Sequence, residues 1–231
     1  MTQGGKETRS GEQFALELPF EPSFAREQFL VAPSNADALA MIEQWPSWPD
    51  RVLLLVGPPG SGKSHLAAIW ARRAHAYAAS PGDLPPLDRL MARKPEAIVV
   101  DGLEDVRDET ALFHLLNHAN ENSIPVLLTG RSRPHEDRVS LPDLLSRIRR
   151  APLIEIGAPD EELIRSVLEK LFRDRQLVVE SGLADYLTLR LERSLEAARA
   201  FVRDLDREAL MRGRRLTRVL AGELLDRARE G

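Results

Sequence analysis

The sequence predicts an α/β protein: a parallel five-stranded sheet with flanking helices, followed by a small helical bundle. Three observations carry that prediction. A glycine-rich loop, Gly57-Pro58-Pro59-Gly60-Ser61-Gly62-Lys63-Ser64, fits G-x-x-x-x-G-K-[ST] in full and joins an apolar run to a helical pattern. Between 51 and 157, unbroken apolar runs alternate with helical patterns, as in parallel sheets covered on both faces. From 158 onward the pattern is helical only. The expected organisation is an N-terminal arm over 1–25, an α/β domain over 26–157 and a helical lid over 158–231.

In order along the chain, residues 1–12 are rich in Gly, Ser and charge and lack the apolar content of a packed segment. The stretch that follows begins at Gln13, and its large apolar residues Phe14, Leu16, Leu18 and Phe20 fall at even positions along one side of an extended strand. Composition supports equally a terminal strand tucked against the domain and a linear peptide that docks on another protein. Ser34 or Asn35 caps a helix reaching about Trp45, with Ala38, Leu39, Met41 and Ile42 as its buried face. The first strand is 52–56. After the loop a helix is expected over 63–78, where Leu66, Ile69 and Trp70 recur at three- and four-residue spacing, with a short strand near 76–79. Residues 79–95, with several prolines, read as turns. Strands follow at 97–101 and 124–129, separated by a helix over 108–121. A helix over 140–149 leads to a last strand within 151–156. Beyond Gly157-Ala158-Pro159, helices are expected over 161–175, 181–191, 194–212 (stopped by Gly213) and 217–229.

The glycine-rich loop is the main chemical signal. Its glycines, Gly57, Gly60 and Gly62, let main-chain N–H groups turn toward phosphate oxygens, and the helix that follows adds the positive end of its dipole. Pro58, Ser61 and His65 complete the candidate phosphate cradle, Lys63 reaches the terminal phosphates and Ser64 helps to hold Mg²⁺. Asp101, at the end of its strand, is the second candidate for the Mg²⁺ shell. The next position, where a hydrolytic site of this kind carries a second carboxylate, is Gly102. Gly57, Asp101 and Thr129 all fall at the carboxyl ends of strands, where ligands sit in such sheets. Arg147 and Arg150 share one helical face, and the pattern alone favours a solvated basic helix end over an arginine presented to a neighbour's nucleotide. The arginines after 193 are interleaved with carboxylates, the pattern of a salt-laced solvent face.

Bulk composition sets limits. With no Cys, disulfides and thiol chemistry are excluded. A formal charge of −4 argues against a dedicated nucleic-acid binder. No secretory signal is visible, and no apolar run approaches the ~20 residues of a membrane span. The expectation is a cytoplasmic protein without a membrane partner.

These motifs together resemble the AAA+ ATPases, and within them the DnaA-related group, over residues 13–230. The loop reads GPPGSGKSHLA, with the group's His-Leu after Lys-Ser. The stretch Leu128-Thr129-Gly130-Arg131-Ser132-Arg133-Pro134 is similar to the group's sensor 1 strand end. Leu141-Pro142-Asp143-Leu144-Leu145-Ser146-Arg147 is similar to the segment bearing its arginine finger, and 194–207 to its sensor 2 helix. No helix-turn-helix domain like an initiator's is expected after the lid, and Gln13-Phe14-Ala15-Leu16-Glu17-Leu18 resembles the peptide that binds the bacterial sliding clamp. That layout resembles the Hda-type regulatory inactivators of DnaA. The resemblance implies ADP (or ATP) with Mg²⁺ as ligand and DnaA and the DNA polymerase III sliding clamp (its β subunit) as partners. It further implies DNA contact through the clamp, clamp binding by Gln13, Phe14, Leu16, Leu18 and Phe20, and Arg147 as a finger acting in trans on DnaA's nucleotide. Pairing of two copies is left open. The chain departs from the group at Gly102, at Arg131, where an acidic residue is usual, and at Glu196, which stands at the sensor 2 position. Thr129 and Arg199 are the remaining sensor candidates, and little intrinsic ATPase activity is expected. Two other readings stay open: a self-sufficient AAA+ ATPase such as a loader or remodeller, and an adaptor of the DnaA group acting on another DNA-associated partner.

Overall fold

The structure, a computed structural model, describes residues 24–135 and 139–230. The arm residues Gln13, Phe14, Leu16, Leu18 and Phe20 lie outside the described residues. A 3-10 turn at Arg26–Gln28 precedes α1 (Ala36–Glu43). Then follow β1 (Val52–Val56), α2 (Lys63–Arg73), β2 (Ala76–Ala79), α3 (Leu87–Met91) and β3 (Ala97–Asp101). After a 3-10 turn at Leu103–Asp105 come α4 (Glu109–Glu121), β4 (Val126–Gly130), α5 (Pro142–Arg150) and β5 (Leu153–Glu155). Four helices complete the described chain: α6 (Glu161–Asp174), α7 (Leu183–Thr188), α8 (Leu195–Arg212) and α9 (Arg218–Glu230).

All five strands are parallel, in the order β2-β3-β4-β1-β5. That order fixes which helix covers which face. Crossovers between parallel strands are right-handed. The step from β1 out to β2 runs one way along the sheet, and the later steps from β2 to β5 run the other way. Hence α2 lies on one face and α3, α4 and α5 on the opposite one. The core confirms this. Leu53, Leu55, Ala97, Val99 and Leu127 pack with α1 and α2, while Leu54, Val56, Ile98, Val100, Val126 and Leu128 pack with α3, α4 and α5. Successive strand residues alternate between faces, as the pleat requires, and both sets are buried, so the runs read as continuously apolar.

The four C-terminal helices share a separate core built on Leu168, Leu183, Leu187, Val202, Leu205 and Leu220. Their ends follow the expected signals. Asp160 accepts from the Leu163 N–H at 2.7 Å, Ser194 from the Ala197 N–H at 3.2 Å, and Gly213 closes α8 in the left-handed region. The arginines of this region pair with carboxylates: Arg212 and Arg227 with Glu208, Arg214 with Glu223, Arg193 with Glu161.

Three expectations are corrected. Neither Ser34 nor Asn35 caps α1, which ends at Glu43: the Asn35 side chain accepts from the Ala32 N–H and donates to the Leu30 carbonyl, holding the turn before the helix. The helix after the glycine-rich loop ends at Arg73 rather than 78: His75 stands at φ +49°, which turns the chain from α2 directly into β2. Within the stretch read as turns, Leu87–Met91 forms a short helix after Pro86, because Leu90 has a fully buried site to fill against the sheet. Proline at a helix start has no N–H to lose from the helical ladder, so the prolines that suggested turns also suit a helix beginning.

Candidate functional site

The glycine-rich loop leaves β1 where the strand order reverses, beside β4. The Gly57 N–H donates to the Gly130 carbonyl at 3.1 Å, tying the start of the loop to the end of β4. Gly62, at φ +110°, turns the chain into α2, and α2 has no side-chain N-cap. The N–H groups of Lys63, Ser64 and His65 in its first turn therefore have no intrahelical partner. Lys63 is buried, and its ammonium donates to the Gly57 and Pro58 carbonyls at 2.7 and 2.8 Å. Burial pushes its pKa below the usual lysine value, opposed by the nearby carboxylates Glu104, Asp101 and Glu196. The Ser61 hydroxyl is buried with no hydrogen-bond partner, while Ser64 is exposed.

Across the strand ends, Asp101 and Thr129 are register partners in β3 and β4. The fully buried Thr129 hydroxyl donates to Asp101 Oδ1 at 2.5 Å and accepts the Gly102 N–H at 2.9 Å. One carboxylate oxygen of Asp101 is thereby fixed, and the other is left toward the exposed rim of the sheet. Glu104 folds back from the Leu103–Asp105 turn to Arg131: Oε1 accepts from the side-chain Nε at 3.0 Å and Oε2 from the main-chain N–H at 3.2 Å.

The bundle meets the loop directly. The Leu195 N–H donates to the Gly60 carbonyl at 2.8 Å. A Cβ on Gly60 would stand 1.9 Å from the Ser194 hydroxyl, and the residue has φ +67°, so only glycine fits. Phe29, Ile156 and Leu195 close around Gly62. Arg199, on the second turn of α8, is half-buried and has neither hydrogen bond nor ion pair among the described residues. Burial pushes its guanidinium below the usual value, with Glu196 opposing. His65 is buried between the edges of Phe24 and Phe29, with Nε2 3.0 Å from the Ala25 carbonyl, and burial lowers its pKa. Its ring holds the N-terminal segment, so a part in ligand binding falls to its main-chain N–H.

Arg147 stands apart from this cluster. It is half-buried on α5, on the face opposite α2, with its guanidinium over the Phe113 ring at 5.8 Å from the centroid. It is not among the charges that act on Lys63.

No protein-family model matches the chain. Among solved structures, it is similar to domain III of the Thermotoga maritima replication initiation protein DnaA, with a TM-score of 0.73 at 17% identity, covering 90% of this chain and 97% of that one. This is the AAA+ fold. AMPPCP-bound DnaA from Aquifex aeolicus is similar at a TM-score of 0.65 and 18% identity, over 80% of this chain and 66% of that chain. The Thermotoga maritima RuvB Holliday junction branch migration motor gives a TM-score of 0.66 and 16% identity, over 87% and 71%.

In this AAA+ fold the residues present fit a nucleoside phosphate with its metal ion. Among the described residues the buried Ser61 hydroxyl has no hydrogen-bond partner and the half-buried Arg199 guanidinium has neither hydrogen bond nor ion pair, and the first N–H groups of α2 have none within the helix. The Ser64 hydroxyl and the open oxygen of Asp101 are the oxygen donors suited to Mg²⁺. Sequence reasoning brought Gly57–Ser64, Asp101 and Thr129 to one place and left out the Glu104–Arg131 pair. That pair depends on the 3-10 turn folding back over the neighbouring strand end, and β3 and β4 are neighbours only through the sheet order.

Proposed function

We propose that this chain is a nucleotide-holding AAA+ regulator of replication initiation, carrying ADP or ATP with Mg²⁺ in the loop and acting on a DnaA partner. Gly57, Gly60, Ser61, Gly62 and the N–H groups of Lys63, Ser64 and His65 take the phosphates, and Ser64 and Asp101 hold the metal ion. Thr129 orients Asp101, and Arg199 senses the nucleotide from the helical lid. The bound nucleotide fixes the lid over the loop. The arm residues Gln13, Phe14, Leu16, Leu18 and Phe20 dock on the sliding clamp, which brings the protein to DNA.

The chemistry belongs to the partner. Arg147 enters DnaA's nucleotide site and stabilises charge on the phosphoryl group in transfer, an effect of order 10³–10⁵ where such fingers operate. What supports this reading is the position of Arg147: on the face away from α2, over an aromatic ring, with no ion pair among the described residues to hold it. A guanidinium in that setting is desolvated on one side and free to meet anionic oxygens on the other.

The test is turnover of DnaA-bound ATP with clamp loaded on DNA, with and without this protein. Stimulation is expected, falling by roughly 10³ or more in Arg147→Ala. It is also expected to disappear when Gln13 and Leu16 are both changed to Ala. No stimulation by the wild type, or full stimulation by Arg147→Ala, sinks the reading.

A further inference from the structure

The loop site lacks a carboxylate directly after Asp101, yet a carboxylate stands at its rim. A side chain at position 102 would be strained on this backbone. Gly102 has φ +103°, and a Cβ there would stand 3.2 Å from Asp105 Oδ2. The same geometry makes the following turn tight: the Asp105 N–H donates to the Gly102 carbonyl at 3.0 Å. Glu104 is thereby turned back over the end of β4. Its Oε2 lies 3.8 Å from the point where a Gly130 Cβ would stand, and Gly130 is bonded to Gly57, the first residue of the loop. Of the charges acting on the Lys63 ammonium, Glu104 is the strongest, ahead of Asp101.

Both oxygens of Glu104 are occupied by Arg131, one by the side chain and one by the main-chain N–H. The two partners are unequally placed. The Glu104 side chain is 18% exposed and that of Arg131 60%. The carboxylate is the less exposed partner of the pair although the residue itself lies at the surface, and the cation that holds it stands in water. The pair lines a cavity of about 400 Å³ shared with Leu112, Leu144 and Ile148, which gives the carboxylate room to change rotamer.

We propose that Glu104 is a latent water-orienting carboxylate of the loop site, and that its ion pair with Arg131 holds ATP hydrolysis down. The proposal rests on the reading that the loop binds nucleotide. With the pair broken, Glu104 accepts a hydrogen bond from a water molecule beside the γ-phosphate of ATP. The water oxygen bonds to the γ-phosphorus, the bond from that phosphorus to the β–γ bridging oxygen breaks, and its electron pair leaves on ADP. The proton of the water passes to the Glu104 carboxylate and then to solvent. The chain is therefore a restrained ATPase rather than one without the means to hydrolyse ATP.

The experiment uses the full chain and four forms: wild type, Arg131→Ala, Glu104→Gln and the double variant. Steady-state ATP turnover is expected to rise in Arg131→Ala by up to roughly five-fold, the range set by a partly exposed ion pair. In the double variant it returns to the wild-type level or below. Calorimetry gives unchanged ADP affinity in Arg131→Ala. In nucleotide-free protein, amide hydrogen exchange across 102–105 is faster in that variant, a readout independent of turnover. Unchanged or reduced turnover in Arg131→Ala with ADP affinity intact overturns the proposal alone. So does a double variant as active as Arg131→Ala. A loss of ADP affinity in Arg131→Ala makes Arg131 a phosphate ligand and overturns the latch. Failure of the wild type to bind ADP or ATP overturns the nucleotide reading beneath it.

Discussion

On the face of the sheet covered by α1 and α2, three polar residues at and beside the glycine-rich loop, Lys63, His65 and Ser61, are buried. On the face covered by α3, α4 and α5, Arg147 is half-buried over Phe113, and Arg150 is exposed. The strands between them are the same, and only the direction of the crossovers separates the two settings. Buried donors lose little to solvent screening and hold an anion strongly. Cations left at a surface keep their water until another molecule removes it. The first face suits retention of a ligand, and the second suits presentation to a partner.

The largest expected effect breaks the contrast in packing. Trp70, fully buried on α2, stacks on Trp48 and meets the edge of Trp45. Trp70→Ala is expected to cost about 3–5 kcal/mol in chemical denaturation. Phe113→Ala, at a half-buried position on the other face, is expected to cost clearly less. Equal losses would mean that the two faces are equally sealed.

Next comes ligand binding. Lys63→Ala is expected to weaken ADP binding by roughly ten- to a hundred-fold, the worth of a charged hydrogen bond. Arg147→Ala leaves it unchanged, and titration calorimetry on both variants measures the contrast. A smaller effect concerns the helix starts. Asp108 accepts the Ala111 N–H at 2.8 Å and caps α4, whereas α2 starts at Gly62 without a side-chain cap. Asp108→Ala is expected to cost about 1 kcal/mol of stability with ADP present or absent. A loss that changed with ADP would show the two faces to be coupled.

The smallest effect depends on pH. Burial holds the His65 pKa below its ordinary 6.5, so the unfolded chain binds this proton more readily than the folded one. The contribution is fully present above pH 6.5 and is lost as pH falls through the lower folded value. Denaturation midpoints of the wild type should fall on acidification below 6.5, and His65→Phe should flatten that slope.

The strands were legible because two-sided burial leaves an unbroken apolar run, as in 52–56 and 97–101, where run and strand coincide. The helix starts near Asp160 and Ser194 were legible from a short polar residue before an apolar period, but the same signal at Ser34 and Asn35 misled, because the Asn35 side chain is used by the Ala32 N–H and the Leu30 carbonyl instead. The end of α2 was not, since Ala74 to Ala79 continue an acceptable helical composition and only the left-handed His75 breaks it. In the candidate site the loop could be read from spacing alone. Glu104 with Arg131 and His65 with Ala25 could not, because each joins segments far apart in the chain whose meeting is decided by strand order and by the path of the N-terminal segment.

The aromatic packing behind α2 has an optical consequence. Trp45, Trp48 and Trp70 are the only tryptophans in the sequence, and all three lie in one contact group against the helix that begins with Lys63. Tryptophan emission of the unlabelled protein, excited selectively over Tyr77 and Tyr186, therefore reports from a single locality. A shift of α2 when its first turn takes up a ligand would change the emission without any contribution from the helical bundle.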